Sequence, residues 1–156
     1  MIKNIKLATL LFILVLFLSS CNIVVERIWY DTANDAIQQG LLDQDSHELQ
    51  RLSIDNEIIV LYKLNDADAV GVGSVTASDK GYSWYQGMSP FHGKFMQFDY
   101  QTESRYVIPL TIGKTSDEKI KEIILEGKQN KYKLKVVNGY YIGANIELFY
   151  EAKLLK

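Results

Sequence analysis

Residues 57–64 read Glu-Ile-Ile-Val-Leu-Tyr-Lys-Leu, and this stretch decides the fold. It is apolar along most of its length, it is rich in β-branched residues, and it contains neither glycine nor proline. A short apolar run that is bounded by turn residues is typical of a buried β-strand. The turn residues are present, because Asn-Asp-Ala-Asp follows at positions 65–68. The sequence therefore predicts a buried strand at residues 57–64.

Further strand signals lie on both sides of this run, with turn residues between them at intervals of ~8–12 residues, as in an antiparallel meander. Pro109 places one of these strands at a sheet edge, because proline has no N–H to donate to a neighbouring strand. For residues 119–125 a short helix is the alternative. The predicted strands are residues 49–54, 57–64, 69–76, 82–85, 94–100, 106–112, 119–125, 131–136 and 140–149.

The clearest β pattern lies in the last third of the chain. Residues 131–136 read Lys-Tyr-Lys-Leu-Lys-Val, so lysines occupy one face of a strand and apolar side chains occupy the other. Asn138 and Gly139 follow, and this pair is preferred in type I′ hairpin turns. We therefore expect the chain to return as a strand over residues 140–149.

One helix is predicted before the first strand. Thr32 and Asp35 have the spacing of an N-terminal capping pair. Apolar residues then recur close to the helical period, and Gly40 lies where a glycine would end the helix. These signals place an amphipathic helix at residues 31–40. The predicted fold class is mainly β (α+β): an antiparallel meander or sandwich-like sheet with one N-terminal amphipathic helix packed on it.

The N-terminus has the pattern of an export signal. Lys3 and Lys6 precede an apolar run at residues 7–18, and two serines and Cys21 follow. At ~1.5 Å per residue, the 12 residues of the run cover ~18 Å of helix, whereas the hydrocarbon core of a membrane is ~30 Å thick. A permanent transmembrane helix is therefore disfavoured.

Residues 18–21 read Leu-Ser-Ser-Cys and closely resemble the lipobox of bacterial lipoproteins. The resemblance implies that the thiol of Cys21 carries a diacylglycerol lipid and that residues 1–20 are removed as the signal peptide. Residues 21–156 would then form a single lipid-anchored β-rich domain on the extracytoplasmic face of the cell membrane. More than one acyl chain gives stable anchoring. The alternative is a stray cysteine after an ordinary secretion signal.

The mature part also resembles small exported proteins and lipoproteins of bacilli. The shared pattern is a helix with Ala-Ile and Gly-Leu at positions 36–37 and 40–41, an apolar strand, a glycine-containing strand, and Gly81-x-x-Trp84. Strands at residues 108–113 and 120–127, with two more after them, complete it. These proteins have no assigned function, so the resemblance transfers no site residue beyond Cys21.

Composition excludes several classes of function. Cys21 is the only cysteine, so a domain lipidated there has no disulfide, no thiolate nucleophile and no cysteine metal site. Of the 17 basic residues 14 are lysine and 3 are arginine, which argues against nucleic-acid binding. The charge is segregated: residues 22–113 carry 6 basic and 13 acidic residues, and residues 114–156 carry 9 and 6.

No catalytic or metal-binding set stands out in the sequence. His47 and His92 are the two histidines, and neither has a second histidine at ligand spacing, so positions in solvated loops explain both. We expect no cofactor other than the covalent lipid on Cys21. Enzyme activity stays uncertain, because a carboxylate pair suited to hydrolysis requires a separation that sequence spacing does not reveal.

One candidate contact surface is aromatic. Tyr82, Trp84 and Tyr85 are candidate ligand contacts, and on a strand Tyr82 and Trp84 share one face while Tyr85 takes the other. An exposed set of these rings would stack on a sugar or a peptide. Burial of both sets in a two-layer fold is the alternative.

A second candidate surface is basic. Lys131, Lys133 and Lys135 are candidate contacts to anionic lipid headgroups or an anionic wall polymer. The alternative is an ordinary solvated face.

We therefore predict a non-enzymatic, lipid-anchored cell-surface protein that acts as a binding or interaction module in the bacterial envelope. Its expected partners are the membrane, through the N-terminal lipid, and an envelope protein or wall polymer. The alternative is a small envelope hydrolase with a carboxylate pair that is hidden from sequence spacing.

Overall fold

The computed structural model describes residues 27–117 and 119–155, and only the backbone of Tyr150. The leader and Cys21 lie outside these described residues. Within them, no helix has both the length and the apolar character to cross a membrane. The elements are α1 (Ala33–Asp43), β1 (Ser46–Ile54), β2 (Glu57–Leu64), β3 (Val70–Ser78), β4 (Gly81–Gln86), β5 (Phe95–Gln101), β6 (Val107–Lys114), β7 (Glu122–Gly127), β8 (Lys131–Lys135), β9 (Tyr140–Ala144) and β10 (Phe149–Leu155).

The strands form three antiparallel sheets. Sheet A is the meander β1-β2-β3-β4, sheet B has the order β5-β6-β9, and sheet C has the order β10-β7-β8. The predicted class, mainly β with one helix packed on antiparallel sheets, is confirmed. The meander holds for sheet A, whereas sheets B and C each combine neighbouring strands with one from further along the chain.

The two central strands of sheet A, β2 and β3, are buried on both faces, and this explains the apolar run at residues 57–64. One face of β2 packs against α1 in a core formed by Ala36, Ile37, Leu41, Val60, Tyr62 and Val75. The other face packs against sheet B in a core that includes Ile59, Leu61, Val72, Leu110, Ile112 and Ile142. Because successive side chains of a strand point to opposite faces, β2 needs apolar residues at almost every position.

Sheet C packs on the opposite face of sheet B. Tyr141 of β9 points away from sheet A and joins a third core with Ile120, Ile123, Leu125, Val136 and Ile146. Phe95 of β5 meets Phe149 of β10 edge to face, with ring centroids 4.8 Å apart. The layers therefore follow the order α1, sheet A, sheet B, sheet C.

The helix begins as predicted but ends later. Thr32 is the N-cap, and its hydroxyl oxygen accepts a hydrogen bond from the Asp35 N–H at 3.1 Å. The prediction that Gly40 ends the helix is wrong, because α1 continues to Asp43. Gly40 is required for packing instead: a Cβ atom there would lie 2.2 Å from Cδ2 of Trp84. The glycine lets the helix approach the indole ring.

The prediction that Pro109 lies on an edge strand is also wrong, because β6 is the central strand of sheet B. The β6–β9 ladder reaches only Leu110, which pairs with Ala144. The Pro109 carbonyl accepts a hydrogen bond from the Asn145 N–H at 2.8 Å. The nitrogen and carbonyl of a strand residue point to the same side, so the Pro109 nitrogen faces a point where β9 has ended. The missing N–H therefore breaks no ladder bond.

The type I′ turn is confirmed, since Asn138 and Gly139 have φ values of 49° and 82°. The prediction of one returning strand at residues 140–149 is wrong. That stretch divides into β9 and the start of β10, which belong to different sheets. Beyond the Val137–Tyr140 bridge, β8 pairs with β7 and β9 pairs with β6. Residues 122–127 form a strand, not the alternative helix.

Candidate functional site

A short segment before the helix runs beside the outer edge of β4. Tyr30 and Tyr82 exchange two backbone hydrogen bonds, of 2.8 and 2.9 Å. This is an isolated bridge and not a strand. Along an edge strand, the backbone N–H and C=O groups of every second residue point away from the neighbouring strand. Those of Tyr82 do so, and therefore the backbone groups of Trp84 and Gln86 also point away from β3. The two chain segments separate beyond the bridge and leave a cleft between them.

The cleft has a volume of about 460 Å³ and a mixed lining. Aromatic surface comes from Tyr30, Trp84 and Tyr85. Polar groups come from Gln86 and three charged residues, Arg27, Asp43 and Glu103. Pockets that combine aromatic side chains with a few converging polar groups are typical of ligand sites. We call this feature the β4 cleft.

Trp84 is held rigidly in the wall of the β4 cleft. Its indole lies between two glycines, because a Cβ atom on Gly40 or Gly73 would approach the ring to 2.2 or 2.3 Å. The ring also contacts Tyr62 at a centroid distance of 6.2 Å and a tilt of 52°. These contacts fix the position of the indole Nε1. That nitrogen is buried and has no hydrogen-bond partner among residues 27–117 and 119–155.

Glu103 supplies the second buried polar atom of the cleft. It lies in the turn between β5 and β6, and the Arg27 Nε lies 2.7 Å from its Oε1. The Arg27 guanidinium also lies over the ring of Trp29, 5.2 Å from the centroid. The other carboxylate oxygen, Oε2, is buried without a partner. In the described part of the chain, Trp84 Nε1 and Glu103 Oε2 are the two side-chain atoms in this condition.

The turn that carries Glu103 is tied to sheet A by a buried carboxylate. Glu57 is 4% exposed, and its carboxylate accepts hydrogen bonds from the Thr76 hydroxyl at 2.9 and 3.1 Å. The Ser104 hydroxyl donates to the same carboxylate. Buried polar groups that are fully hydrogen-bonded make a local structure specific. We infer that this network fixes the turn and thereby Glu103.

The three predicted aromatics are adjacent but play different parts. Tyr82 and Trp84 share the helix-facing side of sheet A and pack partly buried against its core. Tyr85 points to the other side and is 36% exposed. The alternation predicted from the sequence is therefore present. Trp84 and Tyr85 both line the β4 cleft, whereas Tyr82 positions it through its backbone bridge.

The lysine stripe, defined as Lys131, Lys133 and Lys135, lies exposed along β8 on the outer face of sheet C. Two of its members are paired with carboxylates of β7. Lys131 Nζ lies 2.7 Å from Glu126, and Lys133 Nζ lies 2.8 Å from Glu122. Among the described residues, no carboxylate pairs with Lys135.

Glu126 is the most strongly compensated charge on this face. It is 7% exposed and also receives Lys153 Nζ at 2.9 Å from β10. Hydrogen bonds from Lys131 and Lys153 lower the pKa of the Glu126 carboxyl to about 2. The outer face of sheet C is therefore a network of mutual ion pairs. It is not a uniformly positive surface.

Sequence reasoning missed the polar half of the β4 cleft. Arg27 and Glu103 are 76 positions apart in the chain, and nothing in their spacing signals that they meet. The two histidines lie elsewhere, with His47 Nδ1 hydrogen-bonded to the Asn65 side chain at 2.8 Å. Within residues 27–117 and 119–155, no group of three or more His, Cys, Asp or Glu residues is arranged to hold a metal ion. No family model, curated protein or solved structure matches this chain.

Proposed function

We propose that this protein is a non-enzymatic, lipid-anchored binding module on the extracytoplasmic face of a bacterial membrane. The Leu-Ser-Ser-Cys sequence at residues 18–21 supports the anchor. The binding role rests on one observation, the β4 cleft, where exposed aromatic surface meets two buried polar atoms that have no hydrogen-bond partner in the part of the chain that the structure describes. A buried polar atom without a hydrogen bond costs ~1–3 kcal/mol, so a partner that supplies the missing bonds is favoured.

A short length of chain separates this cleft from the proposed anchor. From Cys21 to Arg27 the chain spans at most ~20 Å, even when it is fully extended. Arg27 lines the cleft, so a lipid on Cys21 holds the cleft near the bilayer. In sheet C, Phe149 contacts Phe95, which lies at the opposite end of β5 from the turn that carries Glu103. The lysine stripe lies on the outer face of sheet C, the layer farthest from α1.

The lysine stripe is a second and weaker contact surface in this proposal. A lysine near an anionic surface contributes about 1 kcal/mol when its charge is available. Two of the three lysines already have carboxylate partners, so their charge is largely compensated. We expect the stripe to add a salt-sensitive attraction to anionic polymers but not the main recognition.

A small envelope hydrolase is the alternative, because Asp43 and Glu103 both line the β4 cleft. Two carboxylates in one cleft are the minimum for general acid and base catalysis of glycoside cleavage. Two contacts favour binding instead. Glu103 is neutralised by Arg27, and Asp43 accepts a hydrogen bond from the Gln39 amide at 2.8 Å. Release of reducing sugar from isolated cell walls by the purified protein, and its loss in Asp43→Asn, would favour the enzyme.

The anchor is tested with Cys21→Ala in a bacterial expression host that has a lipoprotein pathway. We expect the variant precursor to stay unprocessed by the lipoprotein signal peptidase and to carry no lipid, measured by mass spectrometry of the membrane fraction. A variant that is still lipidated and cleaved after residue 20 would contradict the assignment.

The cleft is tested by co-sedimentation of the mature protein with isolated bacterial cell walls. We expect Tyr85→Ala to weaken binding about fivefold or more, because interface aromatics carry much of the binding free energy. Tyr106→Ala is the matched control, since Tyr106 is 58% exposed and does not line the β4 cleft. Equal binding by both variants would remove the cleft from the proposal.

A further inference from the structure

We propose that the β4 cleft binds a neutral glycan that carries N-acetyl groups. This inference rests on the proposed function and names the class of ligand for the same cleft. It is drawn from the lining of the cleft, its charge and the two polar atoms that lack partners.

The aromatic lining suits a sugar ring. Tyr85 is 36% exposed and shares the lining with Trp84, whose indole is covered by Gly40 and Gly73, so Tyr85 offers the ring surface next to the polar groups. A pyranose has the matching character, because its C–H face is apolar while its hydroxyl edge donates and accepts hydrogen bonds. Tyrosine and tryptophan bind such amphipathic ligands well, because their large, rigid side chains lose little conformational entropy on binding.

The two polar atoms without partners favour a sugar that carries an acetamido group over one that carries hydroxyl groups alone. Trp84 Nε1 is a donor and Glu103 Oε2 is an acceptor, and both residues line the β4 cleft. An acetamido group supplies the complementary pair, a carbonyl oxygen and an N–H. Its methyl group has an apolar neighbour in the lining, since Ile28 is 66% exposed there. Both polar atoms have almost no solvent exposure, so we infer that side chains of the lining shift to admit the acetamido group while the Arg27–Glu103 ion pair is kept.

The charge of the cleft argues against an anionic ligand. Arg27 is neutralised by Glu103 at 2.7 Å, and Asp43 adds a further negative charge. A phosphate-rich polymer would meet no uncompensated positive charge in this lining. A neutral acetylated sugar meets no repulsion.

The edge of β4 argues against an extended peptide. A peptide that adds a strand to a sheet gains its affinity from a series of main-chain hydrogen bonds. The backbone groups of Tyr82 are already hydrogen-bonded to Tyr30, so an added peptide strand would find outward backbone groups at Trp84 and Gln86 of β4. Two residues give too short a series of main-chain hydrogen bonds. A compact ligand uses the cleft better than a strand does.

The test uses the lipidated protein in detergent micelles and its intrinsic tryptophan fluorescence. The chain has 2 tryptophans, and Trp84 lines the cleft while Trp29 contacts Arg27. A Trp29→Phe background therefore isolates the signal of Trp84. The probes are the β-1,4-linked trimer of N-acetylglucosamine and the β-1,4-linked trimer of glucose, which is also neutral but lacks the acetamido groups.

We expect the acetylated trimer to cause a saturable change in tryptophan fluorescence. The glucose trimer should bind at least about tenfold more weakly, because it leaves the recessed donor and acceptor unpaired. Tyr85→Ala should weaken the acetylated trimer about fivefold or more, whereas Tyr106→Ala should leave it within about twofold. Equal binding of the two trimers would overturn the inference, as would equal effects of the two tyrosine variants.

A wall-binding experiment separates this inference from the proposed function. The acetylated trimer should displace the protein from isolated cell walls, whereas the soluble stem peptide released from the same walls should not. Displacement by the peptide alone, with binding still dependent on Tyr85, would overturn the inference and leave the proposed function standing. Wall binding that does not depend on Tyr85 would overturn the proposed function itself.

Discussion

The β4 cleft and the outer face of sheet C are both polar and exposed, but they are built in opposite ways. On sheet C, carboxylates and ammonium groups of neighbouring strands satisfy one another, and Glu126 alone has two lysine partners. In the β4 cleft, a buried donor on Trp84 and a buried acceptor on Glu103 have no hydrogen-bond partner among the described residues. The difference teaches that density of charge is a poor guide to recognition. Polar groups held in place without partners are a better one.

The same comparison extends to rigidity. The lysines of sheet C extend from an edge strand into solvent, where side chains lose entropy when they bind. Trp84 is fixed by two glycines, and the turn that carries Glu103 is tied down through Glu57 and Ser104. A preorganised site loses less conformational freedom on binding. The β4 cleft therefore suits a specific ligand, and sheet C suits a soluble surface.

The largest expected effect on stability is at the cleft. Gly40→Ala places a Cβ atom 2.2 Å from the indole of Trp84. At 2.2 Å the overlap is severe, so the overpacking cost lies in the upper part of the ~1–3 kcal/mol range and exceeds the ~1 kcal/mol that alanine gains over glycine in a helix. We expect the free energy of unfolding to fall by about 1–2 kcal/mol, measured by urea denaturation.

Gln38→Ala is the matched control, because Gln38 is exposed on the same helix. It should change the free energy of unfolding by less than about 0.5 kcal/mol. A Gly40→Ala variant as stable as wild type, with unchanged tryptophan fluorescence, would show that the indole is not held as described.

The second effect concerns the dependence of sheet C on pH. The pKa of Glu126 is about 2 in the fold, below its ordinary value of 4.5. The stabilisation that its ion pairs give is therefore complete above pH about 4.5 and is lost as the pH falls towards about 2. Wild type should lose more stability over this range than Glu126→Gln, measured by urea midpoints. Parallel curves for the two proteins would contradict the pairing of Glu126 with its lysines.

The smallest effect is expected at the rim of sheet C. Lys133 pairs with Glu122 at 2.8 Å, but its side chain is 61% exposed. An exposed ion pair contributes ~0–1 kcal/mol, so Lys133→Gln should be close to wild type in stability. A loss of more than about 2 kcal/mol would mean that the ion-pair network is structural and not a solvated surface.

The fold was largely predictable because its signals are local. The apolar run at residues 57–64 and the Thr32 cap each depend on neighbouring residues, and both are present as predicted. The predictions for Gly40 and Pro109 failed for a shared reason. In both cases a contact with another part of the fold outweighed the local preference of the residue. Gly40 lies within the helix because it packs against Trp84, and Pro109 lies in a central strand because β9 ends beside it.

The site was only half predictable. Alternation along β4 placed Trp84 and Tyr85 on opposite faces, which the structure confirms. Arg27 and Glu103 meet only because three sheets fold over one another, and such a meeting leaves no pattern in the spacing of residues. Likewise, the sequence showed that the lysines of residues 131–136 share a face but not that β7 provides their carboxylates.

The most direct test measures wall binding of two variants side by side, at low and at physiological salt. One is Tyr85→Ala, and the other replaces Lys131, Lys133 and Lys135 together with glutamine. A third variant, with glutamine at Lys80, Lys94 and Lys128, has the same net charge as the stripe variant and is its control. At physiological salt we expect Tyr85→Ala to lose binding about fivefold or more and both lysine variants to stay within about twofold of wild type, since exposed charges are screened beyond ~8 Å. Loss of binding in the stripe variant with normal binding of Tyr85→Ala would contradict the central claim and assign recognition to sheet C.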